Sequence, residues 1–112
     1  MLPKQQRVKK QDFPKILKEG LVFNSPHLSA RILRDEGLKD YQIAFVVPSK
    51  TAKTSVERHF IKRQLEHLVG QKKQLNSGFR LILTCKKTFT KLDRHLIQEE
   101  IDKILIGSKM LN

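Results

Sequence analysis

The chain has 112 residues, 38% of them hydrophobic, with 23 Lys and Arg against 11 Asp and Glu and a formal charge of +12. That length makes a single domain over residues 1–112 with one modest core, and so large a basic excess makes polyanions the first partners to consider. The longest apolar run, residues 43–47, is far short of the roughly 20 residues of a bilayer span. The opening MLPKQQRVKK lacks the apolar stretch of a secretory signal, and one cysteine, Cys85, excludes an internal disulfide and argues against a cysteine-rich zinc site. The expectation is a soluble, cytoplasmic, basic domain.

Residues 1–9 are polar and basic and read as a flexible arm. Asp12 caps a short helix over 12–19, where Pro14 is tolerated because the first turn has no intrahelical N–H partner to lose. Phe13, Ile16 and Leu17 give it one apolar face, and Gly20 reads as the left-handed residue that ends it. Leu21–Phe23 and Leu28–Leu33 read as strands separated by Asn24, Ser25 and Pro26, and Arg34–Lys39 as a hairpin loop. Tyr41–Val47 is a buried strand, and 48–54 a polar, lysine-bearing loop. A helix over 55–69, capped by Thr54 or Ser55, turns Ile61, Leu65, Leu68 and Val69 inward and His59, Lys62, Arg63 and Glu66 outward. Residues 79–85 form a second apolar strand, and Thr90 with Asp93 resembles a capping box for a last helix over 91–106. The order α-β-β-β-α-β-α describes an α+β sandwich, with its helices expected on one face of a small sheet.

The charge is concentrated in two blocks. Residues 1–20 carry six basic side chains against two acidic, and 50–75 carry seven against two, flanking a neutral stretch over 21–49. No histidine falls in a nucleophile or metal pattern such as HExxH, and the five glycines are isolated, so no phosphate loop is present. The four histidines read as surface residues and Cys85 as a buried, inert thiol. Nothing in the sequence assembles a protein active site. In PSKTAKTSVERHFIKRQLEH (48–67) a lysine-bearing loop runs into a helix start, which offers free N–H groups to an anion, and Arg58, Lys62 and Arg63 follow within two turns. This is either a comb of cations for successive phosphates or an ordinary solvated face.

The same segment resembles the signature helix of the protein subunit of bacterial ribonuclease P, an Arg-Asn-Arg core followed by an aliphatic and two basic residues. Here these positions read Arg58, His59, Phe60 and Ile61, Lys62, Arg63. QRVKKQDFPKILKEG, YQIAFVVPSK and SGFRLILTCKK extend the resemblance in order along nearly the whole chain. Departures are His59 and Phe60 in the core signature, Glu66 at a basic position, Leu17 for the second aromatic of the first helix, and His27 and Ala30 at positions that are often aromatic.

The resemblance implies a sandwich like domain 2 of ribosomal protein S5, with a left-handed βαβ crossover that the usual right-handed preference would not give. It implies a subunit of an endoribonuclease in which a partner RNA, not the protein, performs catalysis: magnesium held mainly by that RNA hydrolyses the bond joining the leader to precursor tRNA. Lys50, Lys53, Arg58, His59, Lys62 and Arg63 would contact the catalytic RNA. Phe13, Lys15, Leu17, Arg31 and Phe45 would line a cleft for the single-stranded 5′ leader, by stacking and phosphate contact. For Phe13 and Phe45 a plain core role is equally compatible with the sequence. The implied partners are the catalytic RNA and precursor tRNA, with no membrane, no obligatory protein partner and no protein-held metal. A generic single-stranded RNA- or DNA-binding domain on the same fold is the alternative.

Overall fold

A computed structural model describes residues 6–71 and 75–110. The elements are α1 (Phe13–Glu19), β1 (Leu21–Asn24), β2 (Leu28–Arg34), β3 (Gln42–Val46), α2 (Ser55–Gly70), β4 (Phe79–Cys85) and α3 (Arg94–Gly107), with single 3-10 turns at Lys10–Asp12 and Lys91–Asp93. The element order is the expected one. No helix among the described residues is long and apolar enough to cross a membrane.

The sheet order is β1-β2-β4-β3. β4 pairs antiparallel with β2 and parallel with β3, so β3-α2-β4 is a βαβ crossover. The segment after β2 is therefore not a hairpin loop: β4, the most apolar strand, takes the position between β2 and β3. Gly78 makes this possible. It sits at φ 84°, a conformation that disfavours any side chain, and its N–H and carbonyl stitch the 35–40 loop to the start of β4 through Asp40 and Asp35.

Strand alternation then sorts the side chains. Leu28, Ala30 and Ile32 of β2, Phe79, Leu81, Leu83 and Cys85 of β4, and Ile43 and Phe45 of β3 share one face with Ile61, Leu65 and Leu68 of α2 and Ile97, Ile101 and Leu105 of α3 in a single core. Each fully buried Leu or Ile there contributes about 1.5–3 kcal/mol of apolar transfer. Ile82 and Ile16 are also buried but lie outside that core. They mark the opposite face, on which α1 packs against β2 and β4. The helices therefore flank the sheet on both faces, not on one as expected, because β4 carries an apolar residue, Ile82, on its second face too, and Ile16 of α1 is buried on that side.

Local signals fare unevenly. Thr54 caps α2, its hydroxyl accepting from the Glu57 amide at 3.1 Å. The Thr90–Asp93 capping box is present, on the 3-10 turn that leads into α3. Asp12 precedes α1 without a side-chain cap bond. Gly20 is extended (φ −69°, ψ 150°), not left-handed. It is glycine because a Cβ would sit 2.5 Å from the Ile16 carbonyl oxygen and 3.2 Å from the backbone of Ile32.

Of the arm, residues 1–5 lie outside the described residues. The rest is tied down: Arg7 bridges Ile43 in parallel fashion at the outer edge of β3, and Gln6 Nε2 donates to Asp40 Oδ2 at 3.1 Å.

Candidate nucleic-acid interface

The loop before α2 is built from the helix side. Thr51 and Ala52 N–H groups both donate to the Pro48 carbonyl, and Ala52 is buried at 1% exposure, which anchors the turn. Arg58 reaches back from the first turn of α2: its Nη1 donates to the carbonyls of Ala52 at 2.9 Å and Lys53 at 3.2 Å. Lys50 and Lys53 are left exposed on this pinned loop. Arg58 is thus an organiser of the loop as well as a cation beside it.

Along the outer side of α2, His59, Lys62, Arg63, Glu66 and His67 border a broad hollow of about 790 Å³. A smaller recess of about 160 Å³ adjoins it, lined by Val47, Ser55, Arg58, His59 and Lys62. The six residues expected to meet the catalytic RNA therefore fall on one helix and the loop that feeds it.

A third hollow, a groove of about 320 Å³, lies between the start of α1, the outer strand β3 and α2. Phe13, Ala44 and Phe45 line it together with Arg7, Lys62 and Glu66. Lys62 borders all three hollows. The aromatic side of α1 and the cationic side of α2 thus form one continuous surface.

The residues expected to line the leader cleft do not all gather in that groove. Phe13 does, half-buried. Phe45 shows an edge there but is 7% exposed and points to the core face, opposite Leu83. Arg31 stands opposite Ile82, on the face that carries α1, and its Nη1 donates to the Leu17 carbonyl at 2.6 Å. Leu17, at 47% exposure, and Lys15 lie outward on α1. Phe45 and Arg31 therefore occupy opposite faces of the sheet. Arg7 and Val8 were not anticipated in the groove, since nothing local in the sequence signals that the arm pairs with β3.

Away from this surface, His27 departs from the surface role expected of it. Its Nδ1 lies 2.6 Å from Glu100 Oε2, its amide donates to Oε1 at 2.7 Å, and the Ser25 hydroxyl donates to Oε1 at 2.5 Å. Glu100 is 8% exposed. Burial by itself raises this carboxyl, but the bonds from Ser25 and His27 outweigh it and hold the group below its ordinary range. Ser25 and His27 both point at the one carboxylate rather than forming a chain from base to hydroxyl, so the cluster latches a turn to α3 and does not arm a nucleophile. Cys85 is fully buried, its Sγ donating to the Lys87 carbonyl at 3.0 Å, and burial raises its thiol. Among the described residues, no three of His, Cys, Asp and Glu are grouped where they could hold a metal ion.

Comparison with known proteins places the chain among RNA-processing relatives. Residues 2–108 match the Ribonuclease P family. The ribonuclease P protein component of Mycoplasma mobile is 30% identical over 97 residues, 87% of this chain and 83% of that one. Among solved structures, the RNase P protein from Staphylococcus aureus superposes with a TM-score of 0.79 at 20% identity, covering 96% of this chain and 98% of that one. The RNase P protein from Thermotoga maritima gives 0.78 at 21% identity, covering 88% and 94%.

Proposed function

Because this chain belongs to the ribonuclease P protein family, and is thus a subunit of an endoribonuclease that partners ribonuclease P RNA, we propose that it binds that RNA through α2 and its leading loop. We further propose that it holds the single-stranded 5′ leader of precursor tRNA along α1 and the neighbouring groove. The observation that carries this reading is the shared position of Lys62, which joins the groove at Phe13 to the cationic hollow of α2. A leader on one side and the catalytic RNA on the other would meet at a single cation.

The division of labour follows from the residues. Lys50 and Lys53 present point charges on a loop whose shape Arg58 fixes, so phosphates meet an arranged set and not free side chains. Phe13 and Leu17 offer apolar surface to bases regardless of their identity, which suits leaders of varied sequence. Bond cleavage is assigned to the RNA with its magnesium. The protein raises local affinity and orients the precursor, without moving a proton of its own. The assembly works in the cytoplasm and needs no further protein.

The test is cleavage of a precursor tRNA by the cognate RNA at physiological magnesium, with and without the protein. A markedly faster reaction with the protein, and none with the protein alone, is expected. Absence of stimulation sinks the proposal. Equal affinity for the cognate RNA and for random RNA of the same length would instead favour a generic single-strand binder.

A further inference from the structure

Beside the cationic stripe of α2 lies a hollow of a different chemistry. Phe60, Phe89 and Leu92 wall a cavity of about 620 Å³ between the start of α2 and the turn that opens α3. Its volume falls in the range of small-molecule sites, roughly 300–1,000 Å³. Thr88, Lys91 and two carboxylates stand at its border, Glu57 and Asp93, the latter held by the Thr90 amide at 3.1 Å. Of its apolar walls Leu92 is left to solvent, 94% exposed.

We propose that this hollow receives an unpaired nucleobase of the partner RNA. The proposal deepens the function given above and rests on it. Three features select a base over an apolar protein segment. The hollow continues the cationic side of α2, since Arg63 lies three residues after Phe60 on the same side of the helix. A cation lies at its border, Lys91, and the next residue after Asp93, Arg94, sends its Nη2 to Gln64 of α2 at 2.9 Å. The walls also combine an aromatic ring with hydrogen-bonding groups, as a base requires: its face packs on Phe60 and Leu92 while its edge meets the Thr88 hydroxyl or donates an amino hydrogen to Glu57. The flanking phosphates then fall toward Lys91 and Arg63.

Affinity for the in vitro transcribed cognate RNA is measured for the intact protein and for the Leu92→Ser and Phe60→Ala variants, across a salt series, with base-selective chemical footprinting. Because Leu92 is almost fully exposed, Leu92→Ser keeps the native melting temperature. It should nevertheless weaken RNA binding roughly fivefold or more, as loss of a stacked base does. The salt slope should hold, since no phosphate contact is removed, and one unpaired base should lose protection. Phe60→Ala should uncover the same base. Affinity within twofold of the intact protein and an unchanged footprint would overturn the assignment. So would self-association in sedimentation that Leu92→Ser abolishes while RNA affinity stays the same, which would mark a protein interface. Stimulation of precursor cleavage by the unaltered protein is scored separately: its absence removes the ribonuclease P reading, whereas the hollow is judged on RNA affinity and footprint alone.

Discussion

Arg31 Nη1 donates to the carbonyl oxygen of Leu17 at 2.6 Å, and the bond ties the last turn of α1 to β2. It satisfies a helix-end carbonyl that would otherwise lack a partner, and it sets how far α1 stands from the sheet. Leu17 itself points away, 47% exposed.

That arrangement separates stability from binding at adjacent residues. Leu17→Ala should change folding stability by no more than about 0.5 kcal/mol, as surface replacements do, yet lower affinity for precursor tRNA while sparing mature tRNA. Arg31→Ala should cost about 1 kcal/mol of stability through the lost bond. Urea melts and paired affinity measurements on the two tRNA forms check both.

Gly20 is predicted to tolerate no side chain. Gly20→Ala places a methyl 2.5 Å from the Ile16 carbonyl and against the Ile32 backbone, neither of which can turn aside like a side chain. Overpacking of this kind costs about 1–3 kcal/mol. Thermal denaturation should show the melting temperature falling by roughly 4–8 °C per kcal/mol.

Glu100 should make the fold sensitive to acid. Its carboxyl titrates below its ordinary value of 4.5 in the folded chain. The unfolded chain therefore takes up the proton first as pH drops, so this stability is fully present above the unfolded value and is lost as pH falls through the lower folded one. Glu100→Gln should lose about 1–3 kcal/mol at neutral pH by leaving Ser25 and His27 donors poorly met. It should also flatten the difference between melts at pH 7 and below 4.5. Identical acid profiles for the two proteins would refute the assignment.

Arg58 should act through its loop. Arg58→Ala should speed amide exchange at 51–54 and weaken RNA binding, and Arg58→Lys should restore part of the loop order, because a single nitrogen, Nη1, serves both carbonyls and an ammonium with three donors can do the same where its stem reaches. Hydrogen exchange and a salt series on RNA affinity separate loop order from charge.

What the sequence made legible was the periodic and the local. The inward face of α2 follows from the spacing of Ile61, Leu65 and Leu68, the Thr90–Asp93 box from its two residues, and the cation set from its clustering. What stayed hidden depended on partners distant in the chain. The place of β4 between β2 and β3 is a choice among pairings that no single strand declares. Gly20 has the composition of a helix stop, but its reason is close backbone approach, by the Ile16 carbonyl and by Ile32, twelve residues away. His27 looked like a surface residue because the carboxylate that buries it belongs to α3. Phe45 could be read as lining or as core, since alternation says which residues share a face but not which face meets which helix.

The strand order has a consequence for biosynthesis. β2 waits for β4, whose residues emerge some fifty positions later, and β3 waits for the same strand across the whole of α2. A chain still on the ribosome thus has no completed sheet on which to seat α2 until residue 85 is free. A half-made chain therefore has no ordered platform for the cations of α2 and its leading loop.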